Sequence, residues 1–269
     1  MTNRVTVIGN NSFLSKALQK NPAGQGWRYI GHEEALSETD WIGKTDTLIN
    51  CAFHPDFHND AYSPIKDINF MLAGYVQIHP VHYIMLSSRA VYGEAPASLI
   101  LRENHPASPD TPYAKNKYAS EQALTKLLPP ERLTILRMGN IFGAERERPT
   151  FFGQMLSGLL DEGVIHFDIA PDAVRDFLAA ERWADYIAHI AAAPKAGLYN
   201  IGAGFGITTQ ELAEEIMKAN SSGRVEYTGQ SYKGQFILDV SKAQAAFNLE
   251  PYTKDDLKKD CEAALRASV

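Results

Sequence analysis

The sequence predicts an α/β protein whose core is a doubly wound parallel sheet with helices on both faces, and three observations carry that expectation. Short, nearly continuous apolar runs alternate along the chain with helical stretches, as strands buried on both faces require. The first run ends in a glycine-led turn that opens a helix. With 269 residues, 45% hydrophobic and 22% charged, the chain is long enough to bury a sizeable core and too apolar to stay disordered.

The elements follow in order. Val5–Ile8 is the first strand, and Phe13–Lys20 the helix after its turn. Trp27–Ile30 is the second strand, Thr47–Cys51 the third, and Ala61–His79 a helix. His82–Leu86 is a strand that runs into Ser87-Ser88-Arg89-Ala90-Val91-Tyr92-Gly93. Pro112–Leu128 is a helix with a defined start, because Thr111 can cap it and Pro112 sits where a missing N–H costs nothing. Leu133–Leu136 is a strand, Phe151–Leu160 and Arg182–Ala192 are helices, and Leu198–Ile201 is a strand. Thr208-Thr209-Gln210-Glu211 reads as a capping box opening a helix to about Ala219. Ser241–Phe247 and Lys254–Ala267 are the last helices. No repeat or low-complexity linker separates the halves, so any second lobe is expected to be interleaved with the first and not strung on behind it.

Composition excludes several classes. Twenty-six Lys and Arg against 32 Asp and Glu leave a net charge of −6, which argues against general nucleic-acid binding. No apolar run reaches the length of a membrane span. Two distant cysteines, Cys51 and Cys261, and an opening without the apolar middle of a signal peptide fit a cytoplasmic protein. His54 and His58 are four apart with Pro55 between them and no third ligand nearby, so no metal site is expected.

Two sites carry chemistry. The turn Gly9-Asn10-Asn11-Ser12-Phe13-Leu14-Ser15 stands where a dinucleotide-binding turn brings backbone close to a pyrophosphate at a helix N-terminus. It keeps one glycine of the usual three, with Ser12 and Ser15 in the other places. After the second strand come Gly31, His32, Glu33 and Glu34, which leaves NAD and NADP both open as the cofactor. Tyr113 and Lys117, four apart on the capped helix, share a face, and a fixed ammonium favours a phenolate. With 12 tyrosines that spacing is common by chance, and Tyr62 and Lys66 repeat it across Pro64. Ser88 separates the two pairs: it lies at the carboxyl end of a parallel strand, where such sheets bind ligands.

These motifs together resemble the extended short-chain dehydrogenase/reductases of the NAD-dependent epimerase/dehydratase family, over nearly the whole chain. Further resemblances are Asp46 to Ala52, Asp67-Ile68-Asn69, Leu136 to Gly143, Val174-Arg175-Asp176-Phe177, Leu198 to Gly202 and Asp239 to Lys242. The resemblance implies a Rossmann-like sheet with a small, interleaved C-terminal substrate-binding lobe. Residues 1–143 and about 176–200 would form the dinucleotide-binding domain, and about 144–175 with 201–269 the lobe. It implies an NAD(P)-dependent oxidoreductase or epimerase acting on a nucleoside-diphosphate sugar. Tyr113 would be the acid–base, Lys117 would hold the nicotinamide ribose, and Ser88 would orient the reacting oxygen. Gly9, Asn11, Ser12, Phe13, Leu14, Asn50, Cys51, Ala52 and Asn69 would bind the cofactor with Tyr113 and Lys117. Arg89, Asn140, Arg175 and Lys233 would bind the substrate with Ser88, Asn140 and Arg175 at the diphosphate. Family dehydratases carry Asp-Glu where Arg89-Ala90 stands, so reduction or epimerisation is expected over dehydration. The incomplete glycine turn fits an exchangeable cofactor, and it leaves a cofactor-binding regulatory protein as the alternative. By the same resemblance the helices Ala61–His79 and Pro112–Leu128 could pair in a homodimer, and the compact length is expected to come from shortened substrate loops.

Overall fold

The computed structural model describes residues 3–96, 99–219 and 223–269. In chain order the strands and helices are β1 (Val5–Ile8), α1 (Phe13–Lys20), β2 (Arg28–Ile30), α2 (His32–Ser37), β3 (Thr47–Asn50), α3 (Ile68–Val76), β4 (His82–Ser88) and β5 (Ile100–Leu101). Then come α4 (Pro112–Leu127), β6 (Leu133–Met138), β7 (Asn140–Phe142), α5 (Phe151–Ser157), β8 (Val164–Ile169), β9 (Val174–Arg175), β10 (Phe177–Ala179) and α6 (Ala180–Ala192). The chain ends with β11 (Gly197–Ile201), β12 (Ile207–Thr208), α7 (Thr209–Ala219), β13 (Arg224–Ser231), β14 (Ile237–Leu238), α8 (Ser241–Phe247) and α9 (Lys254–Arg266).

Six parallel strands form the central sheet in the order β11-β6-β4-β3-β1-β2. The two-residue period of a strand divides its side chains between two cores. Val5 and Val7 of β1, Ile49 of β3, Ile84 and Leu86 of β4 and Leu136 of β6 pack on one face with α1 and α6. Ile8, Leu48, Tyr83, Met85 and Ile135 pack on the other with Leu72, Ala73 and Val76 of α3 and Leu124 of α4. Both faces are therefore covered, which explains why the strands read as apolar runs without alternation. The order reverses at β1, with β2 on one side and β3 on the other. The carboxyl ends of β1 and β3 thus flank the switch point at which such sheets bind ligands.

Four two-stranded sheets, β10 with β7, β12 with β9, β13 with β8 and β14 with β5, account for the other strands. The pairing of Val164–Ile169 with Arg224–Ser231 is absent from the sequence reading; the second segment has only exposed and half-buried positions, and the two lie some sixty residues apart. The helix expected from Ala61 to His79 is shorter. It starts at Ile68, because the Asp67 carboxylate accepts the Asn69 N–H at 3.0 Å and caps it, while Pro64 sits in the turn before. Asp67 also accepts the hydroxyls of Tyr62 and Ser120, tying α3 to α4. The helix expected to Leu160 breaks at Gly158 into a wider turn that ends at Gly163. The Thr208–Glu211 box forms in both directions, 2.8 Å and 3.1 Å.

Candidate active site

A cavity of about 1100 Å³ opens along the carboxyl ends of β1, β3 and β4. That volume exceeds the few hundred to about 1,000 Å³ of a single drug-sized site, so it has room for two ligands side by side.

At its floor the chain turns at Gly9 with φ +90°, and a Cβ there would lie 2.8 Å from the Ala52 N. No other residue accommodates both the left-handed backbone and that approach of β1 to β3. Ser12 caps α1 by accepting the Ser15 N–H at 3.1 Å, and its carbonyl accepts the Lys16 N–H. The Phe13 and Leu14 N–H groups line the cavity with no acceptor among the described residues. Two free donors at a helix N-terminus fit the pyrophosphate of a dinucleotide. Ser15 is fully buried and lies away from the cavity, in the place where a small residue allows the helix to pack on the sheet. The two serines therefore do different jobs, Ser12 at the rim and Ser15 in the packing.

Asn50, Cys51 and Ala52 form the opposite wall. The Asn50 side chain folds back to accept the Ala52 N–H at 2.9 Å, and its amide donates to Asn69 Oδ1 at 2.9 Å. Tyr83 also donates to Asn69 Oδ1. Asn69 is thus buried behind the wall and off the cavity surface; what it reaches is Asn50. Burial pushes the Cys51 thiol up to about 12, so it stays a neutral packing group. His32 and Glu33, at the start of α2, close the far end.

Thr111 accepts the Ala114 N–H at 3.2 Å and fixes the start of α4, which turns Tyr113 and Lys117 toward the cavity one turn apart. The Lys117 ammonium, largely buried, donates to the Leu86 carbonyl at 3.0 Å and lies 4.7 Å from the Phe53 ring centre. The Tyr113 ring is held by neighbours the sequence did not indicate. Phe53 meets it edge-on at 5.4 Å, and His58 stacks nearly parallel at 5.1 Å. Both come from the loop after β3, whose path no periodic pattern reveals; Asn116 anchors that loop by donating to the Phe57 and Asp60 carbonyls. Ser88, at the tip of β4, accepts the Ala90 N–H at 3.2 Å and keeps its own proton free to donate into the cavity. Phenol, ammonium and hydroxyl all line the one cavity.

Asn140, Arg175, Arg89 and Lys233 line the remaining half. Asn140 Nδ2 and Arg175 Nε are buried donors without a hydrogen-bond partner among the described residues. Arg175 lies 4.3 Å over Phe151 and donates to the Lys233 carbonyl at 2.9 Å. Its neighbour Asp176 faces the opposite way and accepts the Ala203, Gly204 and Leu238 N–H groups, so no Arg175–Asp176 ion pair forms. Arg148, also unforeseen, stacks 4.1 Å over Phe13 at the mouth. Such an arrangement can bind two anionic ligands and move a proton at an oxygen placed between Ser88 and Tyr113. Among the described residues no cluster of three His, Cys, Asp or Glu could hold a metal ion, and no helix is long and apolar enough to cross a membrane.

A model of the NAD dependent epimerase/dehydratase family matches residues 5–202. The dTDP-6-deoxy-L-talose 4-dehydrogenase (NAD(P)(+)) of Kitasatospora kifunensis is 28% identical over 149 residues, which are 52% of this chain and 46% of that protein. The chain thus spans about half the length of that relative. Among solved structures, the UDP-glucuronic acid 4-epimerase of Bacillus cereus with UDP-glucuronic acid and NAD superposes with a TM-score of 0.80, 16% identity and 98% coverage of both chains. RMD from Pseudomonas aeruginosa, complexed with NADPH, gives 0.78 and 19% identity over 99% of both chains.

Proposed function

This chain belongs to the NAD-dependent epimerase/dehydratase family, and from that premise we propose that it is an NAD(P)-dependent oxidoreductase or epimerase acting on a hydroxyl or keto carbon of a nucleoside-diphosphate sugar. The observation that carries the reading is that Ser88, Tyr113 and Lys117 line a single cavity whose volume suits cofactor and substrate together.

The Phe13 and Leu14 N–H groups and Ser12 hold the cofactor's pyrophosphate, Asn50 to Ala52 shape the wall beneath it, and Lys117 binds its nicotinamide ribose. When bound, the nicotinamide supplies the exchange of hydride with the sugar carbon. Ser88 donates to the sugar oxygen and sets its position. Tyr113 moves the proton at that same oxygen, giving it in reduction and taking it in oxidation. The rings of Phe53 and His58 keep the phenol from swinging away and exclude water from one of its faces. Asn140, Arg175 and Lys233 hold the diphosphate, which gives the two buried, unpartnered donors their acceptors. Arg89-Ala90 supplies no carboxyl pair for removing water, which favours reduction or epimerisation over dehydration.

Tyr113→Phe keeps the ring packing and removes only the transferable proton. Its turnover is expected to fall by about 10²–10⁴ while cofactor affinity stays within a few-fold. Steady-state kinetics beside a fluorescence titration with NADH and NADPH measure both, and undiminished turnover would remove Tyr113 from the chemistry. The reading includes a homodimer through α3 and α4, with Ile65 and Ile78 exposed in the segments flanking α3 and Tyr62, Phe70, Ala119, Ala123 and Leu127 lining a groove. Light scattering is expected to give the mass of two chains; a one-chain mass would dispose of the dimer.

A further inference from the structure

Arg148 lies on the connection between β7 and α5, and that connection is anchored. The Ser268 hydroxyl donates to the Ala144 carbonyl at 2.6 Å, the Ser157 hydroxyl donates to the Arg146 carbonyl at 2.8 Å, and Thr150 caps α5. The charged neighbours of Arg148 pair off with other groups. Glu145 meets Lys16 at 3.9 Å, and Arg146 meets Asp161 at 2.9 Å and Glu147 at 3.7 Å. Among the described residues the Arg148 guanidinium makes no ion pair or side-chain hydrogen bond; what it touches is the Phe13 ring, 4.1 Å from its centre. Glu145 also acts on its charge, but burial outweighs this and leaves the guanidinium below its ordinary value.

The ring beneath it is seated closely. A Cβ built on Gly143 would lie 3.1 Å from Phe13 Cε2 and Cζ, so the glycine after β7 leaves that ring its place. Phe13 is also the residue whose N–H opens α1 toward the cavity, and Arg148 lines the same cavity. A ring centre lies only a side chain's length from its own backbone N–H. A guanidinium on that ring is therefore within reach of an anion held by the Phe13 and Leu14 N–H groups. A helix N-terminus offers about half a positive charge, whereas the pyrophosphate of a dinucleotide carries two negative ones. The usual turn closes its backbone on that group with glycines; here Ser12 and Ser15 take two of those places. A further cation is what the turn lacks.

We propose that Arg148 is a cofactor-binding residue that pairs with the pyrophosphate of NAD(P) and offsets the glycines missing from the turn. A planar guanidinium stacked on an aromatic ring presents its fork edge, which bonds two phosphate oxygens at once. The other phosphates have places of their own. The adenine ribose, with any 2′-phosphate, lies past the end of β2, where His32 and Glu33 line the cavity. The substrate diphosphate, by the reading above, belongs to Arg175, which stacks on a different ring, Phe151. The inference rests on the cofactor reading of this cavity and adds to it a residue from a segment far from the turn.

The test measures dissociation constants on the full chain, for NADH and NADPH by fluorescence and for ADP-ribose and UDP by calorimetry. ADP-ribose keeps the pyrophosphate and lacks the nicotinamide. Arg148→Met keeps an apolar stem over Phe13 and removes the charge, and Arg148→Lys keeps the charge without the fork. Arg148→Met is expected to weaken NADH, NADPH and ADP-ribose alike, by at least tenfold, with UDP held within about threefold. Arg148→Lys should fall between it and the wild type. Unchanged dinucleotide affinity in Arg148→Met overturns the proposal, as does a loss that spares ADP-ribose. Weakening confined to NADPH assigns Arg148 to the 2′-phosphate, and weakening confined to UDP assigns it to the substrate diphosphate. Either result overturns this inference while the cofactor reading stands. A wild type that binds no dinucleotide overturns both. Should Arg148→Met fail to fold, Arg148→Gln, which also removes the charge, is read by the same criteria.

Discussion

Glu121 ties helix α4 to the strand ends beside the cavity and is not among the cavity-lining residues. Its carboxylate accepts Arg137 Nε at 3.0 Å and Nη2 at 2.7 Å, and the Ser87 hydroxyl donates to it. Burial alone would draw the Arg137 guanidinium down, but Glu121 more than offsets this and leaves it raised. One carboxylate thereby joins α4, which carries Tyr113, to β4, which carries Ser88, and to β6. Glu121→Gln leaves Arg137 buried and uncompensated, and is expected to cost about 3–5 kcal/mol. Thermal and denaturant unfolding should then show a melting point lower by on the order of 10 °C; an unchanged melt would contradict the role. At this scale the sequence indicated Ser88, Tyr113 and Lys117, the residues proposed for the chemistry, because they fall at a strand tip and on a capped helix. It did not show Glu121 or Asn69 as positioning residues, since each acts through a partner on another element. Nor could it separate Arg175 from Asp176, which face opposite ways from adjacent positions.

Elements were legible where local rules and burial agree. Thr111 and Pro112 start α4, and the apolar runs of β1, β3, β4 and β6 belong to strands covered on both faces. Legibility failed where a cap overrides composition, as when Asp67 delays α3 to Ile68, and where pairing is distant, as between β8 and β13. The edge β4–β6–β11 also contains a titrating joint. Thr134 donates to the Lys195 carbonyl at 2.8 Å, so its oxygen must accept the His82 Nε2–H at 2.7 Å. Burial, helped by Arg132, pushes His82 down to about 4, against 6.5 in a free chain. Between those values the unfolded chain takes up a proton that the folded histidine refuses, so stability is lost as pH falls from 6.5 toward 4 and the loss levels off below. Allowing for the partial exposure of His82, the loss should reach about 2 kcal/mol at most. Urea unfolding of the wild type and His82→Asn over that range checks it: the variant should lack this slope, and parallel profiles would rule His82 out.

Over the whole molecule, the sheet has two strands on the β1–β2 side of the switch point, where the usual dinucleotide-binding order has three. The other side has four, β3-β4-β6-β11, so the sheet keeps six strands in all. The net charge of −6 does not describe the cavity, where Arg89, Lys117, Arg148, Arg175 and Lys233 gather and the lining carboxylates are Glu33, Glu94, Asp110 and Asp168. Composition could not reveal that convergence, because these cations come from five separate segments of chain. The same convergence supports the central claim that a dinucleotide and a nucleotide sugar meet between Ser88 and Tyr113. The most direct measurement incubates the protein with UDP-, dTDP- and GDP-linked sugars and keto-sugars, with NAD, NADP or cofactor deuterated at the transferred position, and reads products by mass spectrometry. The account predicts either a reduced sugar heavier by one deuterium or an epimer of unchanged mass, with both products lost in Tyr113→Phe. Cofactor binding without conversion of any nucleotide sugar, or equal conversion by Tyr113→Phe, would contradict it.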